Sequence, residues 1–252
     1  MAPAMDMTVP RILVVAPPLA VGGTERHLAQ VLPALKRRGL DLHLHVLARG
    51  GVLEADMSAA GIPIEGPAAS LPAAARRFEA VIGLAHRIRR VRPDLVHLFL
   101  PEPALLGSLA AELAGHRRRI VSRRSLARYR QNYPGFRLVE RILHRRAVVL
   151  LGNSSAVVDE LVAECGEPAK VGLIHNGVSI PAPLDERTRI AHRASLGLGP
   201  ETFAIVVVAN LIPYKGHADL IAALGRIALR LPTGWRLVLL GRDDGAGTVL
   251  DA

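Results

Sequence analysis

Two glycines and a carboxylate stand where an apolar run gives way to a helical pattern. The run is RILVVAP (11–17); Gly22, Gly23 and Glu25 follow it in VGGTERH. Glycine lets the backbone approach a ligand closely and adopt positive φ. The amides that open a helix favour an anion, and ligands of open parallel sheets bind beyond the carboxyl ends of the strands. A tight turn with a capping carboxylate accounts for the same letters, so both readings stand.

A second constellation is ANLIPYKGHADL (209–220), where an apolar run ends at Asn210 and Lys215–Gly216 precede a helical pattern. An ammonium there can pair with phosphate while helix-start amides hold other oxygens. An exposed loop lysine is the plain alternative. Lysine is scarce, however: of 32 basic residues only Lys36, Lys170 and Lys215 are lysine. Other phosphate and nucleophile signatures are missing. No G-x-x-x-x-G-K-[ST] occurs, no G-x-G-x-x-G follows the first apolar run, and GNSSA (152–156) lacks the last glycine of a nucleophile elbow. Ser154 or Ser155 reads instead as a helix cap. His43 and His45 on one strand, and Asp94 and His97 around another, read as satisfied polar residues, so no metal site is expected. Asp243 and Asp244 read as a loop after a strand.

The charge is local. Between Arg117 and Arg146 lie eleven arginines and one acid, Glu140, which accounts for the whole net charge of +10. Arg137, Arg141 and Arg145 share one helical face while Leu138, Ile142 and Leu143 lie on another. Three readings remain: a solvated face, an anionic membrane surface, or a phosphorylated acceptor. Few aromatics accompany the arginines (Tyr129, Tyr133, Phe136), which argues against nucleic acid. The single cysteine, Cys165, supports no internal disulfide. With no charged, apolar leader in MAPAMDMTVP and no apolar run near the ~20 residues of a membrane span, the chain is expected in the cytoplasm, with the inner membrane face as a peripheral contact.

These residues need a scaffold, and the chain supplies strand–helix alternation. Apolar strands are expected at 11–17, 41–48, 94–100, 119–123, 147–154 and 171–178, with helices at 24–38, 73–91, 103–115, 134–146 and 155–165. Fully apolar strands imply a parallel α/β sheet covered on both faces. Residues 179–200 are polar, with Pro and Gly and one short helix pattern, and read as a connection. A fresh pattern then begins: strands at 203–210 and 235–241 around a helix at 216–230. The expected division is a Rossmann-like domain at 1–178, a linker at 179–200, and the beginning of a second Rossmann-like domain at 201–252, cut short after two strands.

Taken in order, VGGTE (21–25), DLVH (94–97), GNSSAV (152–157), IHNGV (174–178), NLIPYKGH (210–217) and LVLLGRDDG (237–245) resemble the GT-B glycosyltransferases of retaining family 4. The resemblance implies two Rossmann-like domains facing across a cleft, the first holding the acceptor and the second a nucleotide-sugar. It places Gly22 and Gly23 near the donor's phosphates and Lys215, with Gly216, on the diphosphate. It makes His97 a cleft residue; Glu25, from its place in the first helical turn, either caps that turn or contacts a polar ligand. It implies hexose transfer to a polysaccharide, lipid-linked or other acceptor in envelope or exopolysaccharide assembly. No metal or other cofactor is expected, protein charges standing in for a cation. Asn210 stands where the family usually has arginine; it can donate a hydrogen bond but brings no charge. Arg123 and Arg124 stand where many members have a histidine, and are expected to meet an anionic acceptor. The family's second-domain glutamate pair would fall beyond residue 252. Two other functions stay open: a catalytically incompetent acceptor-side or membrane-docking module, and a nucleotide-sugar epimerase of the same fold.

Overall fold

The computed structural model describes residues 9–127, 135–178 and 180–247. The leader reading of the first residues, and Tyr129 and Tyr133, fall outside them. The chain divides into two compact units, one up to residue 179 and one from Ile180.

The first unit alternates β1 (Arg11–Ala16), α1 (Gly23–Arg37), β2 (Asp41–Val46), α2 (Glu54–Ala59), β3 (Ile64–Glu65), α3 (Ala73–Val91), β4 (Leu95–Phe99), α4 (Pro101–Ala114), β5 (Arg119–Arg123), α5 (Phe136–Arg146), β6 (Val149–Gly152), α6 (Ser155–Cys165) and β7 (Val171–Leu173). Its seven strands run in the order β3-β2-β1-β4-β5-β6-β7, every pair parallel. Successive strand residues point to opposite faces. Leu13 and Val15 therefore join a core with Leu84 and Ile88 of α3, Ala110 of α4 and Leu161 of α6. Val14 and Ala16 join the other core, with Leu28 and Leu32 of α1 and Met57 of α2. Burial on both faces is why these strands read as unbroken apolar runs.

Local chemistry sets the boundaries. Ser154 caps α6, its Oγ accepting from the Val157 amide at 3.4 Å. α1 runs through Pro33 to Arg37, so the proline frees a carbonyl without ending the helix. Cys165 is buried in the first core.

The second unit holds α7 (Glu186–Ser195), β8 (Ala204–Val208), α8 (His217–Ile227) and β9 (Arg236–Leu240), with β8 and β9 paired in parallel. Helix α7 lies inside the segment expected as a connection. Asp185 caps it, accepting from the Thr188 amide at 2.8 Å, and Arg193 ties its end to the Gly199 and Thr202 carbonyls at 2.7 and 2.6 Å. Among the described residues no helix is long and apolar enough to cross a membrane.

Candidate functional site

The glycine loop closes β1 onto α1. Gly22 is the N-cap of α1, extended at φ −158° and ψ 169°, with no side chain capping the helix. Neither Gly22 nor Gly23 has positive φ, which corrects the expectation of a left-handed turn. Glu25 lies close over Gly22: a Cβ there would stand 2.3 Å from Glu25 Oε2, the mobile end of that side chain. A Cβ on Gly23 would meet open space. The helix thus starts with amides that no side chain satisfies among the described residues, and with Glu25 folded back over its cap.

The ends of β5, β6 and β7 bring further polar groups to the same rim of the sheet. Arg124 follows β5; its Nη2 donates to Asn176 Oδ1 at 2.6 Å, and its carbonyl accepts from Asn153 Nδ2 at 3.2 Å. His175 Nδ1 lies 3.3 Å from the Asn153 carbonyl oxygen. Burial lowers the Arg124 pKa, and the Glu25 carboxylate opposes that shift, so the two charges sense each other. His27, on α1, is held below its usual pKa by burial and then by Arg124.

His97 on β4 sits lower on the same face. Its Nε2 is 2.8 Å from Ser122 Oγ, and its ring lies 4.2 Å from that of Phe99. Burial first, then the Arg124 charge, pushes its pKa down to about 4. At neutral pH the imidazole is uncharged, with one donor and one acceptor nitrogen. A cavity of about 210 Å³ runs between α1 and the sheet, and His27, Leu28, His97, Arg124 and Asn153 line it. Its lining is chiefly apolar, with His27, His97, Ser122, Arg124 and Asn153 among its polar groups.

Arg123 also lines this cavity, but its guanidinium is engaged elsewhere. It is 4% exposed, and its guanidinium grips Glu164 with both nitrogens, at 2.7 and 2.8 Å. Glu160 and Glu140 stand 3.4 and 3.6 Å away. As the last residue of β5 it points to the α5–α6 face, whereas Arg124, one residue on, turns to the rim. The expectation of an acceptor contact at Arg123 therefore gives way to a structural role. Its carboxylate partners carried a signal: Glu160 and Glu164 lie four apart, on one face of α6.

In the second unit, Lys215 ends a short turn and Gly216 (φ 76°) is the N-cap of α8, again with no side-chain cap. The left-handed Gly216 favours glycine. Lys215 Nζ stands 5.4 Å from the Tyr214 ring centroid and makes no ion pair among the described residues. Asn210 is occupied: its Nδ2 donates to Asp244 Oδ2 at 3.0 Å, and its Oδ1 accepts from the Arg242 amide at 3.4 Å. It holds the loop after β9 against the end of β8, where a Cβ on Gly241 would lie 2.0 Å from the Ala209 carbonyl oxygen. Asp243 accepts from the Gly245, Ala246 and Gly247 amides at 2.9–3.1 Å and so shapes that loop.

The family model of Glycosyltransferase Family 4 matches residues 21–180, the stretch that carries the glycine loop, His97, Arg124, Asn153 and Asn176. A D-inositol 3-phosphate glycosyltransferase of Jonesia denitrificans is 31% identical over 114 residues, 42% of this chain and 26% of that protein. The solved structure of Anabaena Alr3699/HepE in complex with UDP-glucose has a TM-score of 0.75 at 18% identity, over 96% of this chain and 63% of that one. A putative UDP-N-acetylglucosamine 2-epimerase from Listeria monocytogenes has a TM-score of 0.57 at 11% identity, over 95% and 71%. The chain thus spans less than two thirds of HepE and matches about a quarter of the inositol-phosphate enzyme. These structural likenesses show the fold, and the family match covers more than half of the chain. The chain belongs to Glycosyltransferase Family 4 and has that family's GT-B, Rossmann-like parallel sheet.

Proposed function

We propose that the chain works in transfer of a hexose from a nucleotide-sugar to a glycan, lipid-linked or other acceptor, with retention at the anomeric carbon and without a metal ion. The observation that carries this reading is Lys215, a scarce ammonium without an ion pair among the described residues, at the start of α8, where Gly216 provides no side-chain cap. In this reading Lys215 and the amides after Gly216 take the diphosphate oxygens and stabilise the charge that develops as the diphosphate leaves. The amides after Gly22 and Gly23 take an anionic or polar part of a ligand. Glu25 and Arg124 orient the acceptor, and neutral His97 offers a hydrogen bond in the cavity beside α1. Asn210 acts by holding the loop. HepE is described with UDP-glucose, so a uridine diphosphate hexose is the first donor to test.

The test follows the donor's anomeric proton by NMR, with and without glycan or lipid acceptors, in excess EDTA. The expected outcome is acceptor-dependent consumption, a product of unchanged anomeric configuration, and a rate that EDTA leaves within twofold. Interconversion without acceptor would replace this reading by an epimerase; loss of activity in EDTA would remove the metal-free part.

We also propose that the basic segment 117–146 rests on an anionic membrane at the cytoplasmic face. Leu138 and Ile142 of α5 are 65% and 46% exposed beside Arg137, Arg141 and Arg145. An apolar stripe edged by arginine suits an interfacial helix. Each arginine near an anionic surface contributes about 1 kcal/mol. The Arg137→Glu/Arg141→Glu pair should therefore weaken binding to phosphatidylglycerol vesicles by more than tenfold. Equal binding by wild type and variant would contradict the proposal.

A further inference from the structure

A second hollow lies on the opposite face of the sheet, where β2 and β3 meet α3. It has a volume of about 240 Å³ and is lined by His45, Arg49, Glu65, Gly66, Glu79 and Gly83, with Pro67. None of these residues lines the cavity beside His97. His45 is 3% exposed, and neither ring nitrogen has a hydrogen-bond partner among the described residues. A buried polar group left unmet carries a desolvation penalty, so the imidazole asks for a partner that enters from the hollow. Burial holds it neutral, its pKa pushed down to about 3. It therefore presents one N–H and one lone pair.

The surrounding groups alternate in kind. Arg49 donates its Nε to Glu54 and its Nη1 to the Ile64 carbonyl, and its Nη2 has no bond among the described residues. Glu65 is held by Arg90 at 2.6 Å, with Arg87 Nε 3.5 Å away and without a hydrogen bond of its own. Glu79 is exposed at the rim with no ion pair among the described residues. An anion would face Glu65 and Glu79; a cation would face Arg49, with Arg87 and Arg90 paired to Glu65 behind it. A hydroxyl both donates and accepts, and suits each of these groups.

The backbone keeps the space open. Gly83 sits mid-way along α3, where glycine costs about 1 kcal/mol against alanine. A Cβ there would meet nothing within 4 Å, so packing does not account for it. Gly66 brings its backbone so near β2 that a Cβ would stand 2.2 Å from the Val46 carbonyl oxygen. The volume equals roughly eight waters at about 30 Å³ each, which is the scale of one sugar ring.

We propose that this hollow is a second binding site, for a neutral polyhydroxyl ligand of the size of a monosaccharide, with His45, Arg49 and Glu79 as its hydrogen-bonding groups. It stands apart from the donor reading and does not depend on Lys215.

The experiment is NMR titration of the full chain with methyl α-D-glucoside, D-mannose and myo-inositol, with acetate and methylammonium as charged controls. At least one polyol should saturate with a dissociation constant on the order of 1 mM and shift the His45 ring signals, while both controls bind more weakly. Gly83→Leu puts a side chain into the hollow and should weaken binding at least tenfold while keeping the thermal midpoint. Glu79→Gln, at the exposed rim, should weaken it severalfold. Lys215→Ala should leave it unchanged. Absence of saturable binding by any polyol would overturn the proposal. So would tighter binding of acetate or methylammonium, indifference to Gly83→Leu, or dependence on Lys215.

Discussion

Arg123→Met should destabilise the first unit by about 3–5 kcal/mol, a drop of roughly 10 °C or more in thermal midpoint for a unit of this size. The cause is burial. Glu164 and Glu140 are 8% and 5% exposed, and Arg123 is the cation that Glu164 meets with both oxygens. Without it, Glu164 must stay charged in a poorer environment or take up a proton. Arg123 also joins β5 to α6, so the loss falls on the sheet's packing. Converting the pair together, Arg123→Met/Glu164→Leu, should recover more than half of the loss, because no carboxylate of that pair is then left behind. Arg124→Met, at the half-exposed rim, should cost under about 1 kcal/mol. Urea denaturation of the three variants checks this. A loss under 1 kcal/mol for Arg123→Met would contradict the structural role given to it.

Acid should weaken the first unit well before its carboxylates titrate. His45 and His97 have folded pKa values of about 3 and about 4, against about 6.5 in an unfolded chain. A histidine whose folded pKa is depressed is fully stabilising above 6.5. Between the two values the unfolded state binds more protons, so stability falls as pH drops through that window. Each group can remove up to about 1.4 kcal/mol per pH unit. His97 keeps partial solvent contact, so it contributes less than His45. At pH 5 the two together should cost about 2–4 kcal/mol relative to pH 7.5. His45→Gln, measured at both pH values by urea denaturation, should remove more than half of that difference. An unchanged stability between pH 7.5 and 5 would contradict the burial of these neutral rings.

Much of the fold was legible because its strands are buried on both faces. RILVVA and LVHLF carry no alternation and announce a parallel sheet. The stretch 54–65 was not read. α2 has six residues and β3 two, too short for any period to show. The segment 179–200 read as a connection because α7 is polar and its residues are not buried; its links to Gly199 and Thr202 run through one arginine side chain. At the rim, the sequence could mark Arg123–Arg124 as a pair but not which one is taken up by Glu164. That depends on where β5 ends, and a shift of one residue exchanges their faces. The sequence marks the glycine loop for close approach and for positive φ; the backbone at Gly22 and Gly23 is not left-handed, and Glu25 lies over Gly22. His27 gave no sign of its place, since a histidine on an amphipathic helix reads as surface.

Everything in the functional reading turns on a nucleotide's diphosphate being held by Lys215 and the amides that open α8. Calorimetric titration of the full chain with UDP, GDP and the bare nucleosides tests this directly. UDP or GDP should bind at least tenfold tighter than its nucleoside. Lys215→Ala should erase most of that advantage, since a charge-assisted hydrogen bond is worth about 1.5–3 kcal/mol, and should leave nucleoside binding as it was. Diphosphate binding that survives Lys215→Ala undiminished, or no preference for diphosphate over nucleoside, would contradict the account.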